Sequence, residues 1–223
     1  MNEIYLCLVT PASLHEADWL TPREAYVLQK IRDPARRRDW LAGRLAAKKL
    51  IQDYLLEQAG VRLNLAQIEI THDKHKAPGV TSPLTLPISI AHSAGHGFAA
   101  LVTHGSIGVD LQEIRPVRPD LAKRVLSEHE RKQLTHFFAE RELEGLLVFW
   151  ALKEAAIKSH RTRPAPLLRE IAVALMGPGR AEILVQGRIM TAQWGCWKEF
   201  IWAWALADQL DDRHAVAALM GRG

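Results

Sequence analysis

Apolar and polar positions alternate along this chain with two periods, and the switch between them outlines the fold. Residues 3–10, "EIYLCLVT", read as a buried first strand. "TPREAYVLQKI" follows as a short helix with Thr21 as its cap and Pro22 in its first turn. Residues 35–60 predict a long helix closed by Gly60. "QIEIT" is strand-like, and residues 72–87 read as a polar, proline-rich loop. "ISIAHS", "GFAALVT" and "SIGVDLQEI" are three strands divided by glycine-containing turns. Helices return after Pro116, where Ser127 and Glu130 form a capping box ahead of "RKQLTHFF". A second long helix, from about residue 143, precedes four further strands. In the last of these Phe200, Trp202 and Trp204 share one face, and Ile201, Ala203 and Ala205 the other. The order predicts an α+β fold of two similar halves, each a small, mostly antiparallel sheet packed with helices, with a division at 1–105 and 106–223.

The second long helix carries the first chemical anomaly. Its apolar seam runs Leu143, Leu147, Trp150, then position 154, then Ile157, and position 154 is a glutamate. Glu154 and Lys158 form an i,i+4 pair, but such pairs stabilise by only roughly 0.2–0.5 kcal/mol. An unmet carboxylate on a buried seam costs several times more. The second anomaly is Asp110 in "SIGVDLQEI". Alternation puts Asp110 and Gln112 on one strand face, and Gly108 leaves room for close approach to the backbone. Two carboxylates beside an amide oxygen suit a hard cation such as Mg²⁺, with substrate phosphate and water completing its octahedron.

"ISIAHSAGHG" offers His92 and Ser93 at a strand end. It lacks the G-x-S-x-G of a hydrolase elbow, and His92, His96 and His104 lack compact metal-ligand spacing. A ring and a hydroxyl donating to an anionic ligand remain, alongside a structural histidine. The basic run from Arg36 to Lys49 is either a solvated face or a phosphate contact.

Composition narrows the classes. With 29 basic and 25 acidic residues the net charge is +4, which permits an anionic ligand without requiring one. The excess is too modest, and too poor in interleaved aromatics, to point to nucleic acid. Two cysteines exclude a disulfide framework. The start lacks signal-peptide character and no apolar run suits a bilayer, so a cytoplasmic protein with no membrane association is expected.

Taken together, "IGVDLQ", "WALKEAAIK", "ISIAHSAG", "RRRDWLAGRLAAKKL" and "DKHKAP" resemble the motifs of the 4′-phosphopantetheinyl transferase superfamily, in their order as well as their content. The likeness is to its larger, monomeric, surfactin-synthetase-activating type and covers residues 20–160. It implies Mg²⁺-dependent transfer of phosphopantetheine from coenzyme A to a serine of an apo acyl or peptidyl carrier protein, with release of 3′,5′-ADP. Asp110, Gln112 and Glu154 would hold the metal. Glu154 would also take the serine proton, and Lys158 would neutralise the pyrophosphate. His92 and Ser93 would contact a phosphate of the nucleotide, with Lys76, Arg36, Arg38 and Arg44 as candidates for the 3′-phosphate. Lys153, inside the motif, is grouped with these cofactor contacts. Three departures mark this chain: Gln112 where the family often has glutamate, Ala91 where it has serine, and "SHRTRPAPLL" in place of a glycine-rich segment. Gln112 predicts weaker metal binding before pyrophosphate arrives. A non-catalytic coenzyme A- or carrier-binding module is the alternative.

Overall fold

The computed structural model describes residues 3–11, 18–72, 78–82, 86–160 and 165–207. The N-terminal elements are β1 (Ile4–Val9), α1 (Pro22–Gln29), α2 (Pro34–Ala59), β2 (Glu69–His72), β3 (Pro78–Ser82), β4 (Ile88–Ser93) and β5 (His96–Val102). They are followed by β6 (Ser106–Glu113), α3 (Leu121–Val125), α4 (Glu128–Phe138), α5 (Glu142–His160), β7 (Ala172–Leu175), β8 (Arg180–Val185), β9 (Arg188–Trp197) and β10 (Phe200–Ala207). One sheet has the order β1-β5-β4, a second β6-β10-β9-β8-β7, and β2 pairs with β3. All pairings are antiparallel. This is the α+β architecture the sequence predicts.

Two details differ. β1 is not a buried strand but the edge of its sheet, with Leu6 exposed and only Val9 fully covered. The proline-rich stretch expected to be a loop contains β3, because Ile70 and Val80 pair across a two-stranded ribbon and bury both side chains.

The two halves repeat one plan: a strand, a box-capped helix, a long helix, a short 3-10 turn, then four strands. β1 pairs with β5 as β6 pairs with β10, and β2 with β3 as β7 with β8. The repeat extends to individual polar atoms. In the first half Lys48 of α2 is fully buried and meets Glu24 at 2.6 Å, while also donating to Trp19 O. Glu24 closes the capping box of α1 and accepts from Ile70 N of β2. In the second half Lys153 of α5 is equally buried, meets Glu130 at 2.8 Å and donates to Val125 O. Glu130 closes the box of α4 and accepts from Val173 N of β7. Burial drives both ammonium groups toward the neutral form and the carboxylates oppose it. Neither charge is tolerable without its partner, since desolvating an ion costs several kcal/mol. One carboxylate therefore ties together a helix start, a long helix and a strand.

A third apolar cluster joins the halves. Phe98, Ala100 and Val102 of β5 pack with Val109 and Leu111 of β6 and with Phe200, Trp204 and Leu206 of β10. Ile201, Ala203 and Ala205 point the other way, into the core beneath α5. β10 is thus buried on both faces.

Lys153→Met should lower unfolding free energy in urea by about 3–5 kcal/mol, because Glu130 stays charged without a partner. Adding Glu130→Gln should recover part of that loss, and Lys48→Met with Glu24→Gln should behave alike.

Candidate active site

The site begins with a backbone contact. β6 lies so close to α5 that a Cβ at Gly108 would overlap the Ala155 carbonyl and lie 2.5 Å from Ser159 N. The contact is locked by a reciprocal exchange: Ser106 Oγ donates to Ser159 O at 2.6 Å, and Ser159 Oγ donates to Ser106 O at 2.7 Å. From the other side, Val109 N donates to Ser89 Oγ of β4 at 3.0 Å, which brings β4 up against the same strand. Two residues past Gly108, Asp110 is carried to the side of α5.

There it is 6% exposed and both its oxygens are engaged. Lys158 Nζ donates to Asp110 Oδ1 at 2.7 Å and to Val109 O at 2.9 Å. Gln112 Nε2 donates to Asp110 Oδ2 at 2.6 Å. Lys158 therefore reaches across to the strand and does not make the local pair with Glu154 that helix spacing suggests. Glu154 is half-buried on the neighbouring turn. Its pKa is raised, first by burial and then by the negative charge of Asp110, while Lys158 and the Trp150 side chain pull it down. Along that seam Leu143, Trp150, Glu154 and Ile157 are only partly covered, whereas Leu147 is fully buried, as are Leu152, Ala155 and Ala156. Glu154 faces a cleft, not the core.

That cleft has a volume of about 440 Å³ and is lined by Ser93, Gln112, Trp150 and Glu154, with Arg115, Arg118 and Arg124 at its rim. It draws walls from β4, β6 and α5. His92, next to Ser93, points Nδ1 toward Asp39 at 3.9 Å. Its side chain is 46% exposed; what burial it has lowers its pKa, Asp39 opposes this, Lys158 reinforces it and Asp110 opposes it again. The ring thus lies within the field of the Asp110–Lys158 pair. Gly43 permits this closeness, since a Cβ there would be 2.9 Å from Ile90 and 3.4 Å from His92. His96 is elsewhere, its ring 4.3 Å from that of Phe200.

The basic helix divides. Arg36 and Arg38 are exposed at the start of α2. Arg44 is 5% exposed, stacks over Trp40 at 5.0 Å and donates through Nη2 toward His72 Nδ1 at 3.3 Å. Its Nη1 is buried with no hydrogen-bond partner among the described residues. Lys76 lies outside the described residues. Lys153 corrects the sequence reading: its ammonium is fully buried in the core, bonded to Glu130 and Val125 O, and so is out of reach of a cofactor. Asp39 was not singled out in sequence. It accepts from Gly95 N at 2.6 Å and so braces the turn behind His92; only its single acidic position in a basic run hinted at this.

The donor set was tested against a divalent cation. Among the described residues no cluster of three or more His, Cys, Asp or Glu forms a metal cage. Glu154 and the Gln112 amide line the cleft, and Asp110 lies just behind them, bonded to Gln112 and near enough to act on Glu154; such an incomplete oxygen shell is the kind Mg²⁺ uses when substrate phosphate supplies the rest. The residues fit the ion.

Comparison with known proteins defines the class. A family model for the 4′-phosphopantetheinyl transferase superfamily matches residues 106–218, and the chain belongs to that superfamily. It is similar to the 4′-phosphopantetheinyl transferase ffp of Bacillus subtilis, at 25% identity over 60% of this chain and 58% of that protein. It is also similar to the holo-acyl-carrier-protein synthase of Geobacillus kaustophilus (strain HTA426), at 36% identity over 37% of this chain and 66% of the other. The chain therefore spans less than two thirds of the length of these relatives. The crystal structure of the Thermotoga maritima holo-acyl-carrier-protein synthase aligns over 47% of this chain and 63% of that one, with 20% identity and a TM-score of 0.40.

Gly108→Ala should separate β6 from α5 and lower stability by about 1–3 kcal/mol through overpacking. Thermal unfolding would measure it, and a glycine-to-alanine change that left the melting temperature intact would contradict the contact.

Proposed function

We propose that this chain transfers the 4′-phosphopantetheine group of coenzyme A to a serine hydroxyl of an apo acyl or peptidyl carrier protein and releases 3′,5′-ADP. The observation that carries the reading is that the Asp110–Lys158 pair lies close enough for both charges to act on Glu154, beside a cleft lined by Glu154 and Gln112 and inside the segment that matches the family. Mg²⁺ would be held by Asp110, Glu154 and Gln112 and would supply Lewis-acid neutralisation of the diphosphate. The remaining work falls to the chain itself. Lys158, held by Val109 O and Asp110, is placed to donate to a diphosphate oxygen and offset the charge that builds there. Glu154 has an upward-shifted pKa, which suits a carboxylate that must accept the serine proton. As the serine oxygen bonds to the β-phosphorus, the bond from that phosphorus to the oxygen of 3′,5′-ADP breaks, and rate comes mainly from positioning.

The nucleotide end fits the N-terminal half. His92 and Ser93 stand at the end of β4 beside the cleft. Arg44 supplies a buried guanidinium nitrogen without an acceptor among the described residues, the kind of group an anion satisfies. Arg36, Arg38 and Lys76 are the other cations proposed for the 3′-phosphate. Because one chain supplies both walls of the cleft, a monomer suffices.

The test is to incubate the chain with coenzyme A, Mg²⁺ and a panel of apo carriers and weigh the carriers by mass spectrometry. A gain of one phosphopantetheine is expected, reduced at least about 10²-fold in rate by Glu154→Ala. Arg44→Ala should raise KM for coenzyme A with little change in kcat, as loss of uniform binding does. Coenzyme A binding without any mass gain across the panel would overturn catalysis in favour of a binding module.

A further inference from the structure

The side chain of Gln112 is spent on Asp110 in a way that bears on how a cation enters. Its amide nitrogen lies 2.6 Å from Asp110 Oδ2. The opposite amide orientation would set two oxygens against each other beside a carboxylate, so charge fixes which end faces Asp110. Lys158 Nζ already occupies Oδ1 at 2.7 Å. Asp110 is thus a buried carboxylate with a donor on each oxygen, and hydrogen bonds to a charged acceptor are the strong ones. A cation arriving alone gains little: it must shed water and displace either an ammonium or a charge-assisted amide bond.

We propose that Gln112 is a latch on Asp110 that makes divalent-cation binding dependent on the coenzyme A diphosphate. This rests on the coenzyme A reading above. In the free chain the amide nitrogen holds Asp110. When a diphosphate enters the cleft its oxygens draw Lys158 away from Oδ1, and rotation of the Gln112 amide exchanges the donor for its carbonyl oxygen, a neutral ligand. A side chain with two chemically opposite ends can serve both states; a glutamate can serve only the second. Gln112 thereby holds Asp110 in the free chain and offers a neutral oxygen once the diphosphate is bound.

The coupling is reciprocal: the factor by which coenzyme A tightens cation binding must equal the factor by which the cation tightens coenzyme A. Couplings of this kind are typically about 5–150-fold. Gln112→Met keeps the length of the side chain and removes the donor, so Asp110 is unlatched. Gln112→Glu also removes the donor and adds a third carboxylate.

The experiment uses Mn²⁺ as probe, with free ion measured by electron paramagnetic resonance, titrated into the chain with and without coenzyme A. The wild type should bind Mn²⁺ at least about 5-fold more tightly with coenzyme A present. In Gln112→Met the affinity without coenzyme A should rise and the coupling factor fall. In Gln112→Glu the affinity without coenzyme A should rise at least about 10-fold, with the smallest coupling of the three, since a like-charged site prefers a cation even unaided. Coenzyme A that binds the wild type without changing Mn²⁺ affinity would overturn the latch alone. So would a coupling factor unaltered in Gln112→Met. If no titration detects coenzyme A binding, the functional reading itself fails and the latch with it. Should Gln112→Met unfold, as judged by circular dichroism, Gln112→Glu carries the test, and a coupling factor unaltered in it overturns the latch.

Discussion

The site exists because position 108 has no side chain. β6 and α5 meet backbone to backbone there, and the reciprocal Ser106–Ser159 bonds set the register of that contact. Register then dictates chemistry. A strand shifted by one residue would turn Asp110 to the opposite face, away from the helix that carries Lys158 and Glu154. The same strand is paired on one side with β10 and tied on the other to Ser89 of β4. It is therefore held from both directions, which fixes the point at which Asp110 presents its oxygens.

The repeated lysine–glutamate pair explains how two halves with one plan came to hold one acidic cluster. Lys48 and Lys153 fill equivalent places, each fully buried and each ending on the carboxylate of a capping box. Counting onward from them, Lys153 is followed by Glu154 and, five residues on, by Lys158; Lys48 is followed by Lys49 and, five residues on, by Asp53. The signs are exchanged. In the first half Cys7 is the group that feels Lys49 and Asp53, and burial pushes its thiol up to about 11, so it behaves as an apolar side chain. The scaffold is duplicated while the chemistry is not, and the buried pairs are what allow the outward-facing positions to diverge without disturbing the helices.

How far the sequence carries this picture depends on whether a feature is local. The cap at Thr21, the capping box at Ser127, the long helices and the alternation in "SIGVDLQEI" are local, and each forms as read. The placement of Asp110 and Gln112 on one face follows from the two-residue period alone. The partner of Lys158 is not local. Helix spacing points to Glu154, yet Lys158 bonds Asp110, 48 residues away, because a buried carboxylate has more to gain from an ammonium than a half-buried one does. Lys153 was misread for a related reason. α5 is apolar nearly all round, so its periodicity does not distinguish the face toward the cleft from the face toward the core. The lysine beside Glu154 looks as available as the glutamate, although it is the more deeply buried of the two. Its true partner, Glu130, was visible as a capping residue, but that role gave no sign of a second task. β3 was hidden by its prolines and by its shortness, since a strand of that kind is legible only through the neighbour it pairs with.

Charge distribution shows why a net charge of +4 understates the positive character of the cleft. Lys48 and Lys153 are spent on buried carboxylates and contribute nothing outside the core. Lys158 is spent on Asp110, and Arg44 lies beneath Trp40 and His72. What faces outward at the rim is the arginine group at 115, 118 and 124. Arg115 meets Glu113 at 3.5 Å and Arg118 meets Asp120 at 3.4 Å, both guanidinium groups being largely exposed. Exposed pairs of this kind contribute about 0–1 kcal/mol, so these guanidiniums exchange their partners at little cost. The buried pairs cannot be exchanged at all. The chain thus separates its cations by dielectric environment: those in the core fix the architecture, and those at the rim remain available to whatever anion approaches Asp110 and Glu154.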